Sequence, residues 1–282
     1  MSEMSRDNTV TRELTETSLV RSRDFMKSLH SSRFRTWRWS VESFDAGLDW
    51  LLKHPHDVRN GIYMSDTPGK EVWRMTMPSR YGGREIVFKS YLQPKTFWDT
   101  IEESESLLEA RNYVVLESMH VPAAHVLACG ETRALGRVTQ SFIVTEYLAG
   151  TLDGSALMPG GHLWERNDLR MAFSRKTLEI IAKTHQCRFF HNAFHPYKIL
   201  VSNIEDADAM SVTLIDVANA GFRPRGSNML AIANDLLTFF VDLRLSSDEI
   251  KLLCGSYLEF NPNCGYTPQS LWKMLTSLEV RG

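Results

Sequence analysis

No run of about 18 apolar residues occurs anywhere in this chain of 282 residues, so no segment is long enough to cross a bilayer as a helix. The polar start, residues 1–17, lacks the apolar centre of a secretory signal, and the chain is expected to stay in the cytoplasm. Cysteine is scarce and scattered: Cys129, Cys187, Cys254 and Cys264 include no C-x-x-C pair, which argues against a disulfide framework or a structural zinc site and for reduced thiols. An excess of one charge is missing too. With 32 basic and 34 acidic residues the formal net charge is -2, so nothing draws the whole molecule to nucleic acid or anionic lipid, and no nucleic-acid partner is expected.

What is present is an ordinary globular composition, 43% hydrophobic and 23% charged, on a chain long enough to bury a sizeable core in one or two domains. Its most informative stretch is His191-Asn192-Ala193-Phe194-His195-Pro196-Tyr197-Lys198, followed by the apolar Ile199-Leu200-Val201. A polar turn over residues 203–208 comes next, and then Val212-Thr213-Leu214-Ile215, which ends on Asp216. The two apolar runs read as an antiparallel pair of short strands. A carboxylate at the end of an apolar strand is costly to bury unless a cation meets it, and a metal ion is the natural candidate.

This is the outline of a kinase catalytic loop, H-x-D-x-x-x-x-N, with its following metal-binding aspartate. Counted from His191, Ala193 stands at the position of the proton-accepting Asp and Lys198 at that of the metal-binding Asn. A kinase also needs a strand lysine for the phosphates and a helix glutamate to hold it. Glu85-Ile86-Val87-Phe88-Lys89-Ser90-Tyr91 supplies the first, and Glu109 the second, inside residues 97–119, whose apolar spacing suits a long helix.

Order and spacing of these segments resemble the bacterial lipopolysaccharide core kinases, the Kdo/heptose kinase family, including its InaA-like branch. The resemblance is carried by Val87-Phe88-Lys89, by Leu108-Glu109-Ala110-Arg111-Asn112-Tyr113 running to His120-Val121-Pro122-Ala123 and Gly130-Glu131, by Val144-Thr145-Glu146-Tyr147-Leu148, by Ala182-Lys183-Thr184-His185 and by the loop and strand above. It covers roughly residues 58–245. It implies an α+β, two-lobed protein-kinase-like fold, with a small antiparallel-sheet lobe carrying one long helix and a larger, mainly helical lobe. It also implies phosphoryl transfer from ATP to a sugar hydroxyl of the lipopolysaccharide core. Lys89 would hold phosphates, Glu109 would position Lys89, Asp216 would bind magnesium, and His191 would brace the loop backbone through hydrogen bonds. Glu146 to Leu148 would be the hinge whose backbone binds adenine.

Two departures stand out. Ala193 removes a general base, whose help is worth about 10²–10⁴-fold in rate, while Lys198 cannot ligate a metal as an ammonium and would instead meet phosphates directly. Asn192 and His195 are the candidate replacements for the base. A glycine-rich loop is also absent, since the turn after Gly61-Ile62-Tyr63-Met64 runs Ser65-Asp66-Thr67-Pro68-Gly69-Lys70 with one glycine. A catalytically inactive pseudokinase, serving as a nucleotide-binding or scaffold module in envelope biogenesis, shares every retained residue. An aminoglycoside-type small-molecule phosphotransferase shares the fold and the order of charges.

The domain layout expected is an N-terminal arm and helix over 1–57, a small lobe over 58–148 and a large lobe over 149–282. The arm is basic and aromatic, with Arg21, Arg23, Lys27, Arg33, Arg35 and Arg38 interleaved with Phe25, Phe34, Trp37 and Trp39. It is a solvated segment or a peripheral contact with the inner face of the inner membrane. Within the large lobe a helix is expected from Asn167, acting as its cap, to His185, and another from Met229 to Leu243. The second helix carries Asp235, a candidate acceptor for the loop backbone. Arg223 and Arg225 are candidates for an acidic sugar or a phosphate.

Overall fold

The computed structural model describes residues 29–31, 36–41, 60–67, 69–91, 103–134, 137–223 and 228–279. These residues group into two compact units, divided in sequence at Leu148/Ala149, with Leu116–Ala123 grouped with the second unit.

The first unit is built on a seven-stranded sheet. Its strands are β1 (Leu29–Ser31), β2 (Thr36–Val41), β3 (Ile62–Thr67), β4 (Lys70–Thr76), β5 (Glu85–Tyr91), β6 (Val126–Ala134) and β7 (Arg137–Glu146), in the order β1-β2-β6-β7-β5-β4-β3 and antiparallel throughout. Alternation along β5 puts Ile86 and Phe88 on one face, where they join Met75, Met77, Leu127, Ala128, Phe142 and Val144 in the core. The Phe88 and Phe142 rings stack with centroids 5.5 Å apart. Helix α1 (Glu105–Ser118) is shorter than the run expected from its apolar spacing, and residues 97–102 lie outside the described part.

The N-terminal arm is where the structure departs most from expectation. Leu29–Ser31 and Thr36–Val41 are strands, and β2 pairs along its length with β6, from Thr36↔Arg133 to Val41↔Ala128. β-branched and aromatic residues in Thr36-Trp37-Arg38-Trp39-Ser40-Val41 suit a strand, but the interleaved charges had suggested a solvated segment. The β3–β4 hairpin is also tighter than expected, because Thr67 pairs with Lys70.

The second unit is mainly helical. Helix α2 (Asn167–Gln186) buries Leu169, Phe173, Leu178, Ile181 and Ala182, the stripe expected from the sequence. Its cap position is Arg166, not Asn167, whose side chain instead accepts a hydrogen bond from Arg170 at 2.7 Å. Helices α3 (Asn228–Asp242), α4 (Ser247–Phe260) and α5 (Pro268–Glu279) follow, and α4 opens with a reciprocal capping box between Ser246 and Glu249. Short strands β8 (Thr151–Asp153), β9 (Phe189–Phe190), β10 (Ile199–Ser202), β11 (Ser211–Leu214) and β12 (Gly221–Phe222) form two small sheets, β11-β10-β8 and β12-β9.

Candidate functional site

In the first unit Lys89 and Glu109 form a buried two-pronged ion pair. Lys89 Nζ lies 2.8 and 2.9 Å from the two oxygens of a glutamate only 1% exposed. β5 delivers the lysine from one side and α1 the glutamate, twenty residues on, as the sequence order had suggested. The tyrosines around the pair were not foreseen: Tyr91 and Tyr113 both donate their hydroxyls to Glu109. Their spacing was a signal, since Tyr91 follows Lys89 by two along a strand face and Tyr113 follows Glu109 by four along a helix face. Three donors on one carboxylate fix its position and satisfy a charge that water cannot reach. At the end of β7, the exposed Glu146 donates its backbone N–H to His125 O, Tyr147 N donates to Glu85 O at 3.2 Å, and Leu148 is half-buried.

In the second unit the loop and hairpin fold as the apolar pattern indicated. β10 and β11 are antiparallel with Ile199 opposite Leu214, and Ile215 N donates to Lys198 O at 2.9 Å. That register brings the two departures of the sequence together. Lys198 Nζ lies 3.2 Å from Asp216 Oδ2, with the side chains 9% and 25% exposed. Asp216 adopts a left-handed backbone, φ 56°, as does Asn192 in the loop, φ 62°. Asp and Asn tolerate that region better than most residues, though it still stores strain.

One cation that meets Asp216 is therefore an ammonium. No group of three or more His, Cys, Asp and Glu side chains is placed to hold a metal there, again among the described residues. A divalent cation on Asp216 would have to share the carboxylate with the Lys198 ammonium, which lies 3.2 Å from it, and the two cations would repel. As an ammonium Lys198 offers no metal ligand, so of the two pattern positions only Asp216 has a lone pair for a metal.

His191 reverses the expected bracing. Its ring is buried, 2% exposed, and neither ring nitrogen has a hydrogen-bond partner. Burial pushes its pKa down from 6.5 to about 4. The loop is held instead through the His191 backbone N–H, which donates to Asp235 Oδ2 at 2.9 Å, as suggested for this aspartate on α3. Asp235 also meets His185 Nε2 at 3.3 Å, and His185 Nδ1 meets the Tyr257 hydroxyl at 2.9 Å. Phe194 anchors the middle of the loop against Phe239 in the core.

The two candidate replacements for the missing base have different fates. Asn192 is used structurally: its amide donates to Phe190 O and Asn219 O, and its carbonyl accepts from Arg223. This also commits the exposed Arg223, while Arg225 lies outside the described residues. His195 has Nδ1 fixed at 2.7 Å from Asp242 Oδ2, its ring stacks on Tyr197, and among the described residues Nε2 makes no hydrogen bond. A carboxylate-oriented imidazole with one free nitrogen is an arrangement suited to accepting a proton. Asp242 lies 47 residues away in sequence, and nothing local pointed to it.

Comparison with known proteins gives the family and the fold. The lipopolysaccharide kinase (Kdo/WaaP) family matches residues 80–242, more than half of the chain, and the chain belongs to that family. Membership implies, in general terms, kinase-type phosphotransfer with ATP and a metal. The fold is similar to a solved structure described as WaaP in complex with acyl carrier protein, with a TM-score of 0.58 at 18% identity, over 86% of this chain and 97% of that one. No curated protein matches. No helix among the described residues is long and apolar enough to cross a membrane.

Proposed function

We propose that this protein is an ATP-dependent phosphotransferase acting on a sugar hydroxyl of the lipopolysaccharide core, divergent in its proton acceptor and in the cation beside Asp216. The observation that carries the reading is the Lys89–Glu109 pair. A lysine on a strand, held by two oxygens of a buried helix glutamate, is an ammonium oriented in advance, as phosphate binding in a kinase requires. In this reading Lys89 holds phosphate oxygens, Glu146 to Leu148 meet adenine, and His195, oriented by Asp242, accepts the acceptor hydroxyl's proton in place of Ala193. Positioning and electrostatics supply most of phosphoryl-transfer catalysis, so a displaced base slows the reaction without abolishing it. A peripheral contact of the basic, aromatic N-terminal stretch with the inner face of the inner membrane, near a lipid-linked acceptor, belongs to the same reading.

Thermal denaturation with ATP is the first measurement, since a ligand of the native state raises its apparent stability. A shift lost in Lys89→Met is expected, and no shift at millimolar ATP would overturn the reading. Radiolabelled transfer to isolated lipopolysaccharide follows. The expected result is transfer by the wild type, falling by about 10²-fold or more in His195→Ala. The second reading, a pseudokinase, is favoured by Ala193 together with Lys198. It prevails if ATP binds and transfer appears only in Ala193→Asp.

A further inference from the structure

Asp216 and Lys198 occupy the two positions that in the kinase pattern together hold a metal ion, and here they hold each other. The contact is built into the fold. Ile199 opposite Leu214 and the Ile215 N–H on Lys198 O set the register that carries Nζ to 3.2 Å from Oδ2. The lysine is buried, 7% exposed as a residue, so its stem is packed and its ammonium cannot simply turn away into water. The pair sets an ammonium donor against a carboxylate acceptor. An ammonium has three donors, and the bond to Asp216 leaves others for phosphate oxygens.

We propose that this protein binds the polyphosphate of its nucleotide without a divalent cation, the Lys198 ammonium taking the charge-neutralising place of the metal. The inference rests on the nucleotide reading above and deepens it. Asp216 then acts as a positioning residue: it holds Lys198 and is not a metal ligand. Its loss would release the ammonium toward phosphate, the reverse of what a metal-binding aspartate predicts.

The test is ATP affinity by isothermal titration in excess magnesium and in EDTA, on the full chain, with far-UV circular dichroism to show that each variant is folded. Wild-type affinity is expected to agree within about threefold between the two buffers, because no metal is displaced or required. Asp216→Asn should keep or improve binding in EDTA. Lys198→Asn, which frees the carboxylate and restores an amide ligand, should weaken EDTA binding by about tenfold or more relative to magnesium, the worth of one charge-assisted contact. Lys198→Gln gives a second variant if Lys198→Asn does not fold. Wild-type binding that vanishes in EDTA and returns with magnesium overturns the inference while leaving the phosphotransferase reading intact, as does loss of binding in a folded Asp216→Asn. Absence of ATP binding in both buffers overturns the nucleotide reading and this inference with it.

Discussion

His191→Phe is expected to stabilise the protein by an amount that grows as the pH falls. The wild-type imidazole is 2% exposed, packs beside Phe194 with ring centroids 5.4 Å apart, and leaves both nitrogens without partners. Each unsatisfied buried polar group costs about 1–3 kcal/mol, and a phenyl ring removes both penalties. The larger ring adds volume, for which overpacking costs about 1–3 kcal/mol, so the two proteins should be close in stability near neutral pH. Acid separates them. Burial lowers the folded pKa from 6.5 to about 4, so between those values the unfolded chain takes up a proton that the folded chain refuses. The wild type therefore loses stability as the pH drops through that window, and the loss is complete below about pH 4. At ~1.36 kcal/mol for each pH unit, the window corresponds to roughly 3 kcal/mol. Other groups titrate alike in both proteins and largely cancel in the difference. Urea denaturation followed by tryptophan fluorescence, at steps from neutral pH down to 4, measures that difference. A value constant within ~0.5 kcal/mol over the range would refute the reasoning, showing that His191 is solvated or charged in the fold.

Breaking the buried pair by Lys89→Met or Glu109→Leu should cost about 3–5 kcal/mol, Glu109→Leu the more because it also strands the Tyr91 and Tyr113 hydroxyls. The double variant should cost clearly less than the sum, and strict additivity in a double-mutant cycle would mean the pair is not coupled. Asp235→Ala removes the acceptor shared by the His191 N–H and His185, so a loss of about 2–4 kcal/mol is expected by chemical denaturation. A loss below ~0.5 kcal/mol would show the loop is held elsewhere. Gly154→Ala would place a Cβ 2.4 Å from Pro196 O and 2.8 Å from Phe173 Cζ, pressing on the turn that leads into Lys198. A fall in melting temperature of several degrees is expected, about 2–4 °C for each kcal/mol, and an unchanged value would show that the turn yields freely.

The parts of this molecule that were legible in the sequence are those encoded locally. Ile199-Leu200-Val201 and Val212-Thr213-Leu214 announced their hairpin as two short apolar runs around a polar turn, and Leu169, Phe173, Leu178 and Ile181 announced α2 by helical spacing. Lys89 and Glu109 were legible through the order and spacing of the kinase pattern, and Asp235 through the family resemblance. What stayed hidden depends on tertiary proximity. Asp242 reaches His195 across 47 residues, and the ammonium of Lys198 becomes the partner of Asp216 only through the hairpin register. For His191 a hydrogen-bonding role was the natural expectation for a polar loop residue, yet packing placed the ring where only its backbone bonds. The strands at 29–31 and 36–41 were masked by basic residues, because charge at a sheet margin resembles charge in solvent.

The sheet order carries a practical warning for anyone shortening this chain. A fragment started at residue 58, where sequence alone would put the lobe boundary, discards β1 and β2 and strips β6 of its outer neighbour along Ala128 to Arg133. Amides and carbonyls of a long strand would then point outward as a template for a second molecule. Such a truncation should be retained poorly in the soluble fraction, with self-association the first symptom.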